Sequence, residues 1–160
     1  MLAFMSPHLA LGASPAADPH SPCPIARALE IVGERWSLLI LREAFMGQRR
    51  FNDFERRLGI ARNILSARLK HLVERGVLSR EPSREDARQI EYRLTPMGKA
   101  LFPVLVSMAQ WGTQWAPCEE TALELRNADT GAPLAALRAF DAEGSELTPR
   151  NLRLHWREPG

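Results

Sequence analysis

The stretch that decides the fold runs from residue 33 to residue 94 and reads GERWSLLILREAFMGQRRFNDFERRLGIARNILSARLKHLVERGVLSREPSREDARQIEYRL. Three amphipathic segments follow one another in it, at residues 36–46, 51–58 and 61–75. Each is followed at once by a glycine. Glycine is common just past a helix end because it takes the left-handed conformation without a Cβ clash. The pattern therefore predicts three short helices in succession.

The end of this stretch predicts a β-hairpin. Residues 77–81 and 90–94 are strand candidates, and a polar segment, residues 82–89, separates them. Two closely spaced helices followed by a hairpin make a winged helix-turn-helix. That architecture presents one helix to the major groove of DNA and a loop to the adjacent backbone.

Helices are also predicted on either side of this stretch. Residues 24–32 carry an apolar stripe, with Pro24 suited to the first helical turn. Thr95 and Pro96 are start signals for a helix that we expect to reach about Trp115. Pro103 lacks an N–H group, so we expect it to bend that helix locally.

The two ends of the chain differ from its centre. Residues 1–22 contain no lysine or arginine and are predicted to be a disordered extension. Residues 118–160 are predicted to form a small β-ribbon from three short strands, at residues 121–126, 133–140 and 151–156. Residues 23–117 remain as the winged-helix and dimerisation domain. The fold class is then mainly α with a small β component (α+β).

Charge is concentrated in the predicted winged helix. Residues 35–93 hold 14 lysines and arginines against 8 acidic residues, although the whole chain has a net charge of only +2. Residues 118–160 are acidic, with 8 acidic residues against 5 arginines. A basic centre is the charge distribution expected of a nucleic-acid-binding domain, but a solvated charged face would have it too.

Several classes of protein are excluded. No run of eighteen apolar residues is present, so a transmembrane helix is not expected. The cysteines, Cys23 and Cys118, are too few for a zinc site or a disulfide framework, which favours a cytoplasmic protein. We expect the protein to be associated with the bacterial nucleoid and to need no metal or cofactor. No nucleophile–base pair or phosphate loop indicates an enzyme.

The third helix of the stretch is the candidate recognition helix. Its leucines at 65, 69 and 72 and Val73 share one face and should be buried. The residues expected on the outer face or its flank are Arg62, Asn63, Ser66, Ala67 and Lys70. Arginine can bind guanine and asparagine can bind adenine through two hydrogen bonds, while small residues let the helix sit deep in the groove. The alternative is an ordinary solvated helix face.

Further arginines flank this helix. We expect Arg84 and Arg88, in the hairpin loop, to contact phosphates or the minor groove. Arg50 is expected to hold the flanking DNA backbone, together with neighbouring arginines of the second helix. Some of these arginines should instead pair with Glu43, Asp53 or Glu55.

Taken together, these motifs resemble the HxlR-type winged-helix regulators, a branch of the MarR-like bacterial transcription factors. The resemblance covers about residues 23–117 and is carried by CPI at 23–25, GERWSLLILRE at 33–43, RFNDF at 50–54, LSARL at 65–69, GVL at 76–78, EYRLT at 91–95 and WG at 111–112. One departure is Ala61, where the family usually has a capping serine, a difference of about 1 kcal/mol in helix stability.

The family resemblance implies a homodimer joined by its first and last helices on a near-palindromic operator. An apolar stripe supports this dimer, although packing within one subunit would also explain it. The expected interface residues are Ile25, Leu29, Leu101, Leu105, Met108, Trp111 and Trp115. The predicted function is therefore sequence-specific binding of double-stranded DNA as a repressor or activator.

Regulation and the competing function remain hypotheses. Cys23 precedes a helix whose dipole favours a thiolate, and some members of the resembled family sense oxidants or electrophiles with this cysteine. A structural cysteine, a disulfide between Cys23 and Cys118 of two subunits, and an unknown small-molecule effector are the alternatives. The alternative function is a winged-helix module for protein interaction without DNA binding, for which an acidic or apolar third helix would be typical.

Overall fold

The computed structural model describes residues 23–116 and 124–155. The predicted disordered extension, Cys118 and Trp156 lie outside these residues. The chain divides into two units, Met1–Phe102 and Pro103–Gly160. Among the described residues, no helix combines the length and the apolar composition needed to cross a lipid bilayer.

The first unit is helical with a small antiparallel sheet. Its elements are α1 (Pro24–Val32), α2 (Arg35–Phe45), α3 (Phe51–Leu58), α4 (Arg62–Glu74), β1 (Leu78–Pro82), β2 (Ile90–Leu94) and α5 (Pro96–Lys99). The bounds of α3 and β2 are those predicted, and α2, α4 and β1 differ by one residue at each end. Gly59, which separates α3 from α4, has φ 58° and donates its N–H to the Glu55 carbonyl, as expected of a glycine that ends a helix.

The core lies where α2, α3 and α4 meet the start of the hairpin. Its fully buried apolar side chains are Ile40, Leu41, Phe54, Leu65, Leu69, Leu72, Val77 and Leu78. In α4 the three leucines are those that the apolar periodicity predicted, because helical residues three or four apart share a face. Because its three leucines are held in this core, α4 keeps its opposite side on the surface.

The hairpin pairs β1 with β2 from Leu78↔Leu94 to Pro82↔Ile90. The chain just before α3 adds a third segment beside β2. There Tyr92 N donates to Arg49 O at 2.7 Å, and Arg50 forms a bridge with Glu91. This segment was not predicted, and it ties the entrance of α3 to the hairpin.

The single helix expected from Thr95 to Trp115 is wrong, because two helices are present. α5 ends at Lys99, and α6 (Phe102–Trp115) begins after a turn at residues 100–101. A proline ring clashes with the carbonyl four residues earlier, which kinks or breaks a helix, and here the helix breaks before Pro103. The break places Pro103 at the second position of α6, where a missing N–H has no intrahelical partner to lose.

The strands predicted in the second unit are mostly wrong where the structure describes them, and residues 121–123 of the first lie outside the described residues. Among residues 124–155, only the two-residue strands β3 (Ala139–Phe140) and β4 (Glu146–Leu147) pair, while residues 151–155 form no strand and Arg126 and Pro133 form an isolated bridge. Asp141 Oδ1 accepts hydrogen bonds from Glu143 N and Ser145 N, and these bonds hold the turn that joins β3 to β4.

Candidate nucleic-acid interface

The outer face of α4 is exposed as predicted. Arg62, Asn63, Ser66, Ala67 and Lys70 are all exposed, whereas the three leucines on the opposite side are fully buried. Val73, which we expected in the core, is half-buried. The helix thus offers solvent a surface of short polar side chains with a cation at each end.

The first turn of α4 is held by α3. Ala61 makes no side-chain capping bond, as its methyl group requires. Arg62 instead extends back to α3, where its Nη1 lies 3.2 Å from Glu55 Oε2 and its guanidinium lies 4.9 Å from the centre of the Phe51 ring. An open cavity of about 550 Å³ is lined by Phe51, Arg62, Asn63 and Ser66.

The wing loop, residues 83–89, carries two exposed arginines, Arg84 and Arg88. Ser83 N donates to Gln89 O at 2.7 Å and closes the base of this loop. Arg88 lies 3.8 Å from Asp86, and Arg50 Nη2 lies 3.3 Å from Glu85 Oε2. The contact between Arg50 and Glu85 links the entrance of α3 to the wing loop and places a carboxylate beside a predicted phosphate contact.

The expected pairing of α3 arginines with carboxylates is present. Arg56 lies 2.7 Å from Asp53, and Arg57 Nε lies 3.9 Å from Glu43 Oε2. Glu43 is buried and also accepts a 2.6 Å bond from Arg42 Nη2. Glu43 thus connects α2 with α3 through Arg57. Arg42 and Arg57 compensate the charge of this buried carboxylate, which would otherwise destabilise the fold.

Sequence reasoning assigned no role to Glu91, which is buried at the base of the wing. A hydrogen bond with Ser83 is the main cause of a lowered pKa at Glu91, against the opposing effect of burial, and the positive charges of Arg93 and Arg49 add to it. Arg93 Nη2 lies 2.6 Å from Glu91 Oε2. Glu91 thus joins the wing loop, β2 and the entrance of α3. A lone glutamate in a strand gives no sequence signal for such a role.

The predicted interface residues fall into exposed and half-buried groups. In the first unit, Ile25 and Leu29 of α1 are exposed and Leu101 is half-buried. In the second unit, Leu105 is half-buried and Met108, Trp111 and Trp115 of α6 are exposed, the two tryptophans by 63% and 66%.

Cys23 is the residue that precedes α1. It is half-buried, and its carbonyl accepts a 3.1 Å bond from Arg27 N. Within the described ranges, no three histidine, cysteine or acidic side chains come together as candidate metal ligands.

Comparison with known proteins agrees with this architecture. The model of the HxlR-like helix-turn-helix family matches residues 31–120. An uncharacterized HTH-type transcriptional regulator of Mycobacterium tuberculosis is 46% identical over 129 residues, which cover 80% of this chain and 82% of the relative.

Solved structures agree as well. The crystal structure of PA1607, described as a transcription factor, superposes with a TM-score of 0.81 at 41% identity over 86% of this chain and 96% of that one. The redox regulator HypR, in its oxidized form, gives a TM-score of 0.53 at 30% identity over 57% of this chain and 96% of its own. Transcriptional regulators are a non-enzymatic class, as the sequence predicted. The chain belongs to the HxlR-like helix-turn-helix family of transcriptional regulators.

Proposed function

We propose that this protein binds specific double-stranded DNA sequences as a homodimer and regulates transcription from near-palindromic operators. The observation that carries the proposal is the exposure of the outer face of α4 above a fully buried leucine face. A helix presented in this way fits the major groove, where side chains reach base edges.

The exposed side chains have the chemistry for both kinds of DNA contact. Arg62 and Asn63 have the donors and acceptors for guanine and adenine, and Ala67 leaves room for close approach. Arg50, Arg84 and Arg88 lie on the wing side of the same unit and suit phosphates. Three such arginines in each subunit correspond to six phosphate contacts in a dimer.

Apolar surface supports a homodimer. Ile25 and Leu29 are exposed on α1, and Met108, Trp111 and Trp115 are exposed on α6; exposed apolar side chains of this size are typical of a protein interface. Two winged helices related by a dyad would contact half-sites about 34 Å apart. The doubled site supplies the specificity that one short helix lacks.

DNA from upstream of the protein's own gene tests this function. We expect an electrophoretic shift at lower protein concentration with that duplex than with an unrelated duplex of equal length. Six phosphate contacts predict that affinity falls about 10³-fold between roughly 50 and 200 mM salt. If the protein shifts neither duplex at low salt, the proposal is contradicted.

Oxidation of Cys23 is the regulation that we propose. Cys23 lies immediately before α1 and is half-buried, and the related structure of HypR is that of a redox regulator. We expect Cys23→Ser to bind operator DNA normally and to lose the response of the wild type to diamide. An unchanged response to diamide in this variant would show that Cys23 is not the regulatory residue.

A further inference from the structure

Arg62 contacts two side chains of the preceding helix, Phe51 and Glu55. We propose that Phe51 and Glu55 are positioning residues that hold the Arg62 guanidinium ready to bind one guanine in each half-site. This inference rests on the proposed DNA-binding function. In this proposal side chains of α3 influence which base Arg62 binds, a role that the sequence did not predict for α3.

The geometry leaves the correct edge of Arg62 available. Glu55 Oε2 is 3.2 Å from Nη1, and the Phe51 ring lies against the guanidinium at 4.9 Å. The side chain nevertheless stays 70% exposed. A guanidinium has five N–H donors in a planar fork, so Nη2 and Nε remain able to donate to O6 and N7 of guanine.

Glu55 also places a negative charge beside Arg62. A phosphate therefore gains less from Arg62 than it would from an unpaired arginine, whereas the uncharged edge of a guanine is not repelled. Asn63 and Ser66 line the same open cavity, so a base edge placed there would have further polar partners.

Preorganisation explains why these contacts affect recognition more than folding. An exposed ion pair contributes little to folding stability. A free arginine must lose the freedom of several rotatable bonds when it binds a base, whereas a restrained arginine has already lost it. The ion pair between Lys70 and Glu74 provides a contrast, because both residues lie on α4, 3.7 Å apart, away from the Phe51 ring.

Glu55→Gln tests the inference, with Glu74→Gln as the matched control. Both variants remove one carboxylate that pairs with a cation of α4, half-buried at Glu55 and exposed at Glu74. A pool of DNA duplexes with a randomised core is first enriched with the wild type. The affinity of each variant is then measured for the enriched duplex and for duplexes in which single G·C pairs are replaced by A·T.

We expect the wild type to prefer guanine at one position of each half-site by about tenfold or more. Arg62→Lys keeps the charge but loses the planar fork, so it should abolish that preference. Glu55→Gln should lower the preference at the same position several-fold and strengthen binding to unrelated duplexes. Glu74→Gln should leave the preference unchanged.

Two results would overturn the inference while leaving the proposed function intact. One is an undiminished guanine preference in Glu55→Gln, and the other is uniform weakening on all duplexes in Arg62→Lys. If the wild type retains no duplex at all, the proposed function fails and the inference fails with it. Thermal unfolding of each variant checks that the fold is preserved.

Discussion

Gly98 provides the sharpest test of how the hairpin is attached to the helices. It is buried in α5, and a Cβ at this position would lie 2.2 Å from the carbonyl oxygen of Val77. That oxygen also accepts hydrogen bonds from Thr95 N at 3.2 Å and Thr95 Oγ1 at 3.1 Å. Gly98→Ala must therefore push α5 away from the start of β1.

The magnitude follows from opposing effects. Alanine is favoured over glycine in a helix by about 1 kcal/mol. Overpacking against backbone costs about 1–3 kcal/mol, and each weakened hydrogen bond of Thr95 costs about 1 kcal/mol. We expect a net loss of about 2 kcal/mol in the free energy of unfolding, which lowers Tm by about 4–8 °C for a chain of this size.

Thermal denaturation followed by circular dichroism measures this loss. Lys99→Ala is the control, because Lys99 is the exposed neighbour of Gly98 in the same helix and its truncation should change stability by less than about 0.5 kcal/mol. A Gly98→Ala variant as stable as the wild type would refute the close approach of α5 to Val77.

Three further predictions concern the wing and the dimer. The lowered pKa of Glu91 means that its carboxylate stabilises the fold above pH 4.5, and this stabilisation is lost as pH falls through the lower folded-state value. Denaturation at decreasing pH should therefore show a smaller loss of stability in Glu91→Gln than in the wild type, and equal losses would contradict the role of Glu91. Arg84→Ala should weaken binding to every duplex and reduce the slope of log affinity against log salt by about 2 per dimer, whereas a selective loss for one sequence would indicate a base contact. Trp111→Lys should yield a monomer in sedimentation analysis, because a charge would enter the proposed apolar interface, and a persistent dimer would exclude Trp111 from it.

Local signals predicted the winged helix well. The ends of α3 and α4 follow from glycines at 59 and 76, and the exposed face of α4 follows from the spacing of three leucines. The sequence predicted only a bend at Pro103, whereas the helix breaks there. The proline ring clashes with the carbonyl one turn earlier, and the sequence alone does not show whether a helix bends or breaks in response.

Tertiary contacts account for the rest. The contacts of Arg62 with Phe51 and Glu55 depend on how α3 packs against α4, which apolar periodicity alone does not define. In the predicted strand at residues 133–140, Gln110 of α6 accepts a hydrogen bond from Leu137 N and donates one to Ala135 O. The Ala135 carbonyl and the Leu137 N–H are therefore bonded to a side chain of α6, and the alternation of side chains along the sequence gives no sign of this.

In the proposed complex the outer face of α4 lies against DNA, and Ala67→Glu places a negative charge at that contact. Ala67 is exposed at the centre of this face, and glutamate is a good helix former, so Tm should not change. Fluorescence anisotropy with the upstream duplex should show at least about tenfold weaker binding, because the new carboxylate would face the DNA. Equal affinity in a folded variant would contradict the account.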